Sequence, residues 1–126
     1  MLSQTCKSVW PFLPAKDFEE ATRFYLDMGF TCPRMDDGVR VFRLGDEGFL
    51  LQDYYVAEWA DNCMMNLHVT DLDAWQAHLR SVDLASKYVG VRVGDPATED
   101  DMLVVHVVDP TGILWHITQW ADGRDS

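Results

Sequence analysis

The run DNCMMNLHVTDLDAW, residues 61–75, leads from a strand into a helix through a single aspartate. Side chains of an extended segment alternate between two faces, so Met65, Leu67 and Val69 form an apolar set while Met64, Asn66 and His68 point the other way. Asp71 stands where a helix N-cap belongs, and Leu72, Trp75 and Leu79 follow at the i, i+3, i+7 spacing of a buried helical stripe. The same plan occurs earlier in LPAKDF, residues 13–18. There Asp17 is the cap, and the offset 71 − 17 = 54 carries Phe18, Ala21 and Tyr25 onto Leu72, Trp75 and Leu79. Glu20 completes a capping box with Asp17, and Gly29 offers the left-handed residue that stops the first helix.

Each predicted helix is followed by three β-rich runs, around residues 30–34, 39–44 and 48–54 in the first half and 87–93, 102–108 and 113–119 in the second. Turn signals separate them, among them Asp36-Asp37-Gly38 and Asp109-Pro110-Thr111-Gly112. The pattern predicts an α+β fold of two tandem βαβββ modules, residues 9–54 and 63–119, within a single domain covering 1–126. A module of about 60 residues buries too little of its sheet alone, so the two are expected to pack together. The chain is 48% apolar and 12% aromatic, which is enough to fill such a core.

Charge and cysteine content narrow the function classes. Asp and Glu number 21 against 10 Lys and Arg, a formal net charge of −11, so a phosphate backbone or an anionic membrane would be repelled. Cys6, Cys32 and Cys63 are odd in number with no CxxC, which suggests neither a disulfide framework nor a zinc knuckle. MLSQTCKSVW lacks the basic start and apolar run of a signal peptide, and no segment has the length of a membrane span, so a cytoplasmic location is expected.

Alternation also sorts the candidate site. Val9, Leu13 and Ala15 are expected under the first helix, with Trp10 and Phe12 on the open face. In the last strand Ile113, Trp115 and Ile117 form the helix-side set, leaving Leu114, His116 and Thr118 opposite. Aligning Gly48 with Gly112 places Gln52 where His116 stands in the repeat, so Trp10, Gln52, Met64 and His116 occupy four related positions around a sheet-lined cavity. Three readings of His116 stand open: an imidazole hydrogen-bonded in the wall, with Gln52 as a candidate partner; a ligand contact; or a metal ligand.

The paired βαβββ plan, the helix end FYLDMGF at 24–30 and the DPTG hairpin resemble the glyoxalase/bleomycin-resistance/dioxygenase family, the vicinal oxygen chelate superfamily, over residues 9–119. The resemblance implies incomplete barrels and, in the metal enzymes, one ligand seven residues before each capping Asp and another near the end of each module's last strand. Those positions are Trp10, Met64, Gln52 and His116 here. Only His116 is a good divalent-metal ligand, so no metal site, no cofactor and no catalytic residue are expected.

The run at 61–75, the histidine of DPTGILWHIT and the acidic charge are most similar to the metal-free branch that sequesters bleomycin-type antibiotics. That similarity implies a symmetric homodimer with an exchanged N-terminal arm, for which residues 1–8 would serve, and a small-molecule partner. GDPATEDDMLVV and Asn66 depart from the branch by lacking aromatic residues usual there, which argues against bleomycin itself. The expected ligand contacts are Trp10, Phe12, Leu50, Gln52 and Tyr54 in the first half and Met64, Asn66, His68, Leu114, His116 and Thr118 in the second, with Tyr55 and Trp59 near the mouth. The function expected is metal-independent sequestration of an aromatic molecule, cationic or neutral, such as an antibiotic. The alternatives are a metal-dependent lyase or oxygenase of the same fold, a metal-free enzyme using His116 or His68 as base, and an interaction domain.

Overall fold

The structure is a computed structural model, and it describes residues 1–124. A short 3-10 turn, Leu2–Thr5, is followed by β1 (Phe12–Pro14), α1 (Phe18–Met28), β2 (Thr31–Met35), β3 (Val39–Leu44) and β4 (Glu47–Gln52). The short α2 (Ala57–Ala60) leads to β5 (Met64–His68), α3 (Leu72–Val82), α4 (Leu84–Lys87), β6 (Arg92–Val93), β7 (Ala97–Glu99), β8 (Met102–Val108) and β9 (Leu114–Trp120). The strands form two sheets, in the orders β1-β4-β3-β2 and β5-β9-β8-β6, with β7 added to β8. In each sheet the first strand of the module pairs in parallel with the last, β1 with β4 and β5 with β9. Among the described residues no helix is long and apolar enough to cross a membrane.

The helices begin and end where their caps dictate. The Asp17 carboxylate accepts from the Glu20 backbone N–H at 3.0 Å, and Asp71 does the same for Ala74 at 3.0 Å. Gly29, at φ 127°, ends α1, whereas α3 ends at Asp83 in the left-handed region, φ 48°. Phe18, Ala21 and Tyr25 are buried as their spacing requires, as are Leu72 and Leu79, with Trp75 packed at the margin of the core. Arg40 fixes α1 to its sheet: its buried guanidinium donates to Thr22 Oγ1 and Glu19 Oε1, both at 2.8 Å, and lies over the Phe18 ring.

Three details depart from the pattern. Residues 87–93 form α4's end, a turn at Gly90 and only the two-residue β6, because Leu84 and Tyr88 are drawn into the core and pull the segment out of a sheet. The last strand of the first module stops at Gln52, leaving Tyr54 outside it. Val9 is 88% exposed rather than under α1, since β1 begins only at Phe12 and strand alternation does not reach back to it.

The two sheets share one hydrophobic core. Tyr25 is its centre, with ring centroids of Phe24, Phe30, Phe42, Phe49 and Trp115 at 4.8 to 5.9 Å. Its hydroxyl donates to Asp109 Oδ2 at 2.5 Å and accepts from Trp115 Nε1 at 3.0 Å. Asp109 in turn accepts, through Oδ1, the backbone N–H groups of Thr111, Gly112 and Ile113 at 2.8–2.9 Å, which shapes the β8–β9 turn. A side chain of the first module therefore closes a turn of the second. Two further ties run alongside: Tyr88 Oη donates to Asp27 Oδ2 at 2.6 Å, and His78 Nε2 lies 3.0 Å from the Asp27 carbonyl.

Burial pushes the Asp109 carboxyl above its ordinary value of 3.8, while the Tyr25 phenol and the three backbone donors pull it down. The native state then holds a proton that the unfolded chain has released, so stability falls as pH rises from 3.8 through the native value. Removing the phenol lifts the carboxyl further and enlarges that fall. Tyr25→Phe is therefore expected to cost about 2–3 kcal/mol at pH 7, and less near pH 4, by urea denaturation at both pH values. Tyr88 is pushed up to about 12, mainly by burial, so between pH 10 and 12 the native phenol stays protonated while the unfolded one ionises, and stability falls. Tyr88→Phe should flatten that alkaline slope.

Candidate ligand-binding faces

The side of each sheet opposite the shared core carries the candidate residues. In the second sheet, strand pairing sets Asn66 beside His116 and His116 beside His106, and sets His68 beside Thr118 and Thr118 beside Val104. Paired residues project on the same side, so these form rows across one face. Met64, Leu114 and Val108 make a third row, and Trp120 beside Met102 a fourth. The His106 and His116 rings meet edge to face with centroids 4.8 Å apart, and His106 Nε2 lies 3.5 Å from Glu99 Oε1 on β7.

Hydrogen bonds order part of this face. Thr118 Oγ1 donates to Asn66 Oδ1 at 3.0 Å and sits 3.1 Å from His68 Nδ1. A hydroxyl has one proton, so with that proton given to Asn66 it accepts from His68, whose Nδ1 then carries the hydrogen. Thr118 is buried and orients its neighbours rather than presenting itself. His68 also stands edge-on to Trp120, 5.7 Å between centroids, and the Arg124 guanidinium covers the same indole at 4.1 Å. Trp120 Nε1 is buried with no hydrogen-bond partner among the described residues.

The corresponding face of the first sheet is more apolar. Phe12, Leu50 and Val41 form one row and Pro14, Gln52 and Val39 the next. Phe12 is 55% exposed, an unusual state for a phenylalanine in a strand. Arg43, on the same face, lies 5.5 Å from the Trp10 ring. Tyr54 and Trp59, both largely exposed, stack obliquely at 6.1 Å just beyond the sheet, while Lys16 lies over Tyr55.

The four corner positions do not converge. Gln52 lies in the first sheet and His116 in the second, both turned away from the core between the sheets, and no hydrogen bond joins them among the described residues. The neighbour of His116 is His106 instead. Nor are Gln52 and His116 equivalents in the repeat. Asn66 pairs with His116, and its equivalent Phe12 (66 − 54) pairs with Leu50, so Leu50 holds His116's place and Gln52 that of Thr118. The misalignment comes from two glycines with different causes. Gly48 sits inside β4, where a Cβ would come within 2.2 Å of the Phe42 carbonyl oxygen, whereas Gly112 is a turn residue with φ 106°.

An indole nitrogen has no lone pair to give, a thioether is soft, and an amide oxygen is a weak donor, so Trp10, Met64 and Gln52 do not fit the divalent ion of the metal enzymes. Among the described residues no three His, Cys, Asp or Glu side chains gather closely enough to hold a metal. His106 and Trp120 join the face without having been singled out as contacts. Equal steps outward from Asp109 and Ile113, which close the turn through the Asp109 N–H to Ile113 carbonyl bond, bring His106 opposite His116. The alternation of Leu114, His116 and Thr118 simply continues to Trp120.

Comparison with known proteins finds no matching family model and no matching curated protein. Solved structures do match, and they show the glyoxalase/bleomycin-resistance fold. A bleomycin-binding protein crystallised with bleomycin shares 24% identity and superposes with a TM-score of 0.76, covering 90% of this chain and 98% of its own. TnmS3, an antibiotic-binding protein from a Streptomyces species, gives 22%, 0.71, 91% and 97% in the same order. A lactoylglutathione lyase from Agrobacterium tumefaciens is less similar, at 16%, 0.65, 90% and 94%. Because the donor set is poor, protein purified without chelators should carry no stoichiometric transition metal by elemental analysis; one ion per chain would contradict this reading of the faces.

Proposed function

We propose that the protein is a metal-independent binding protein that sequesters a small aromatic molecule, such as an antibiotic, between two copies of the chain. The observation that carries this reading is the outward orientation of both candidate faces. One is apolar and aromatic, with Phe12, Leu50 and Val41; the other is aromatic and polar, with Asn66, His68, His106, His116 and Trp120. A single chain closes neither face, and apolar surface left open in this way marks an interaction site. Opposing the first face of one copy to the second face of another makes a groove of the kind that binds planar ligands, with hydrogen-bonding groups on one wall and rings on the other. The likeness to two antibiotic-binding proteins supports the ligand class.

Residues 1–8 support the homodimer. All are exposed, and the hydrogen bonds within Met1–Thr5 are local, Gln4 N–H to Met1 O and Thr5 Oγ1 to Leu2 O. A segment with no packing of its own is suited to reach a second copy. On this reading residues 9–54 and 63–119 are the two modules of a single domain, and the net charge of −11 favours cationic ligands over anionic ones.

Titration of bleomycin-type and other cationic aromatic antibiotics, followed by tryptophan fluorescence, is expected to saturate at one ligand per chain and to weaken with salt. His116→Ala should lower affinity about tenfold, the loss typical of a well-placed interface contact. No response to any of a chemically broad panel would overturn the assignment. Sedimentation should show a dimer that weakens when residues 1–8 are removed.

A further inference from the structure

A cavity of about 230 Å³ opens on the helix side of the second sheet, at its β6 edge. Gln76, Leu79, Arg80 and Asp83 line it from one face of α3 and its C-cap, at the i, i+3, i+4, i+7 spacing. Val93 to Pro96 form the facing wall, and Val105 of β8 closes the back. Val105 pairs with Ile117 in the row that faces the core, so the cavity lies across the sheet from His106 and His116 and shares no lining residue with either outer face. Register creates the opening. Val93 pairs with Val107 and Ala97 with Val104, so three residues, 94–96, stand against two of β8, 105 and 106. The surplus is a bulge: Gly94 still donates to the His106 carbonyl at 2.8 Å, whereas Asp95 and Pro96 leave the ladder.

The chemistry of the walls selects an occupant. Three ionised side chains, Arg80, Asp83 and Asp95, border the cavity, all of them exposed and none in an ion pair among the described residues. Asp83 stands there against local preference. It is the C-cap of α3, where the helix carbonyls repel a carboxylate, and it holds φ 48°, a costly conformation for a residue with a Cβ. It also precedes α4, yet its side chain caps no backbone N–H there. A residue that breaks two local rules with no compensating bond inside the chain points to a use outside it. Two carboxylates on facing walls attract a cation, while the Arg80 guanidinium offers a bidentate donor to a carboxylate. The accessible apolar surface is Val93, Ala85 and Pro96, with Leu79, Leu84 and Val105 sealed behind it and no aromatic ring in the lining. Such walls suit a short aliphatic chain, and the volume is below that of drug-sized ligand sites.

We infer that this cavity is a second binding site, for a free amino acid with a small aliphatic side chain. Its ammonium donates to the Asp83 and Asp95 carboxylates, its carboxylate accepts from Arg80, and its side chain lies against Val93 and Ala85. The site belongs to one chain and does not rest on the dimer groove proposed above. L-leucine is the probe, titrated into the full chain by isothermal calorimetry, and saturable binding of one molecule per chain is expected. 3-Methylbutylamine, which lacks the carboxylate, and 4-methylpentanoate, which lacks the ammonium, should each bind about tenfold more weakly or worse, since each forfeits a charged hydrogen bond. Amide-resolved NMR should show leucine shifting the signals of Arg80, Ala85, Gly94 and Asp95.

Asp83→Asn suits the left-handed conformation and so keeps the fold. It should weaken leucine and 3-methylbutylamine about tenfold while leaving 4-methylpentanoate no weaker. Arg80→Gln should weaken leucine about tenfold and leave the amine no weaker. Absence of leucine binding, an amine or acid that binds as tightly as leucine, or leucine affinity unchanged in either variant would each overturn the inference. Shifts centred on Asn66 and His116 would assign leucine to the outer groove and overturn it equally. Failure of the antibiotic panel, in contrast, leaves this result untouched.

Discussion

The bond from the Tyr25 hydroxyl to Asp109 sets the architecture. It joins the first helix of one module to the closing turn of the other, inside a core where a carboxylate without partners could not be tolerated. Asp109 has the backbone donors of its own turn, but Oδ2 relies on Tyr25, and Trp115 reaches the same phenol from the final strand. The helix sides of both sheets are thereby consumed in one core. What is left for recognition is the reverse side of each sheet.

That constraint explains the distribution of residue types. Apolar side chains beyond the needs of the core, such as Phe12 and Met64, stand exposed on the outer faces. The histidines gather there too: His106 and His116 in one cross-strand row, His68 held by Thr118 in the next. The positions at which the resemblance implies metal ligands, Trp10, Met64, Gln52 and His116, are divided between the two sheets, and only His116 is a good divalent-metal donor.

Much of this was legible from local rules. The caps Asp17 and Asp71, the stripes starting at Phe18 and Leu72, and the inward set Ile113, Trp115 and Ile117 follow from short-range physics that tertiary packing did not override. Residues 87–93 misled because Tyr88 and Val91 are good strand residues that were claimed by the core instead. Equating Gln52 with His116 failed because glycine identity does not reveal whether a turn or a close backbone approach demands it. His106 was hidden because cross-strand partners depend on register, which the sequence shows only once the closing pair of the turn is known.

The central claim is that the groove forms only between the first sheet of one copy and the second sheet of another. Mixing two variants, each disabled on one face, tests it directly: Leu50→Glu on the first sheet and His116→Glu on the second. Each alone should bind no ligand. Random exchange of subunits puts both lesions in one groove of the mixed dimer and none in the other, so about a quarter of the wild-type capacity should return. Recovery of nothing, with mixed dimers demonstrably formed, would mean that both faces serve the same groove within one chain, and would contradict the account.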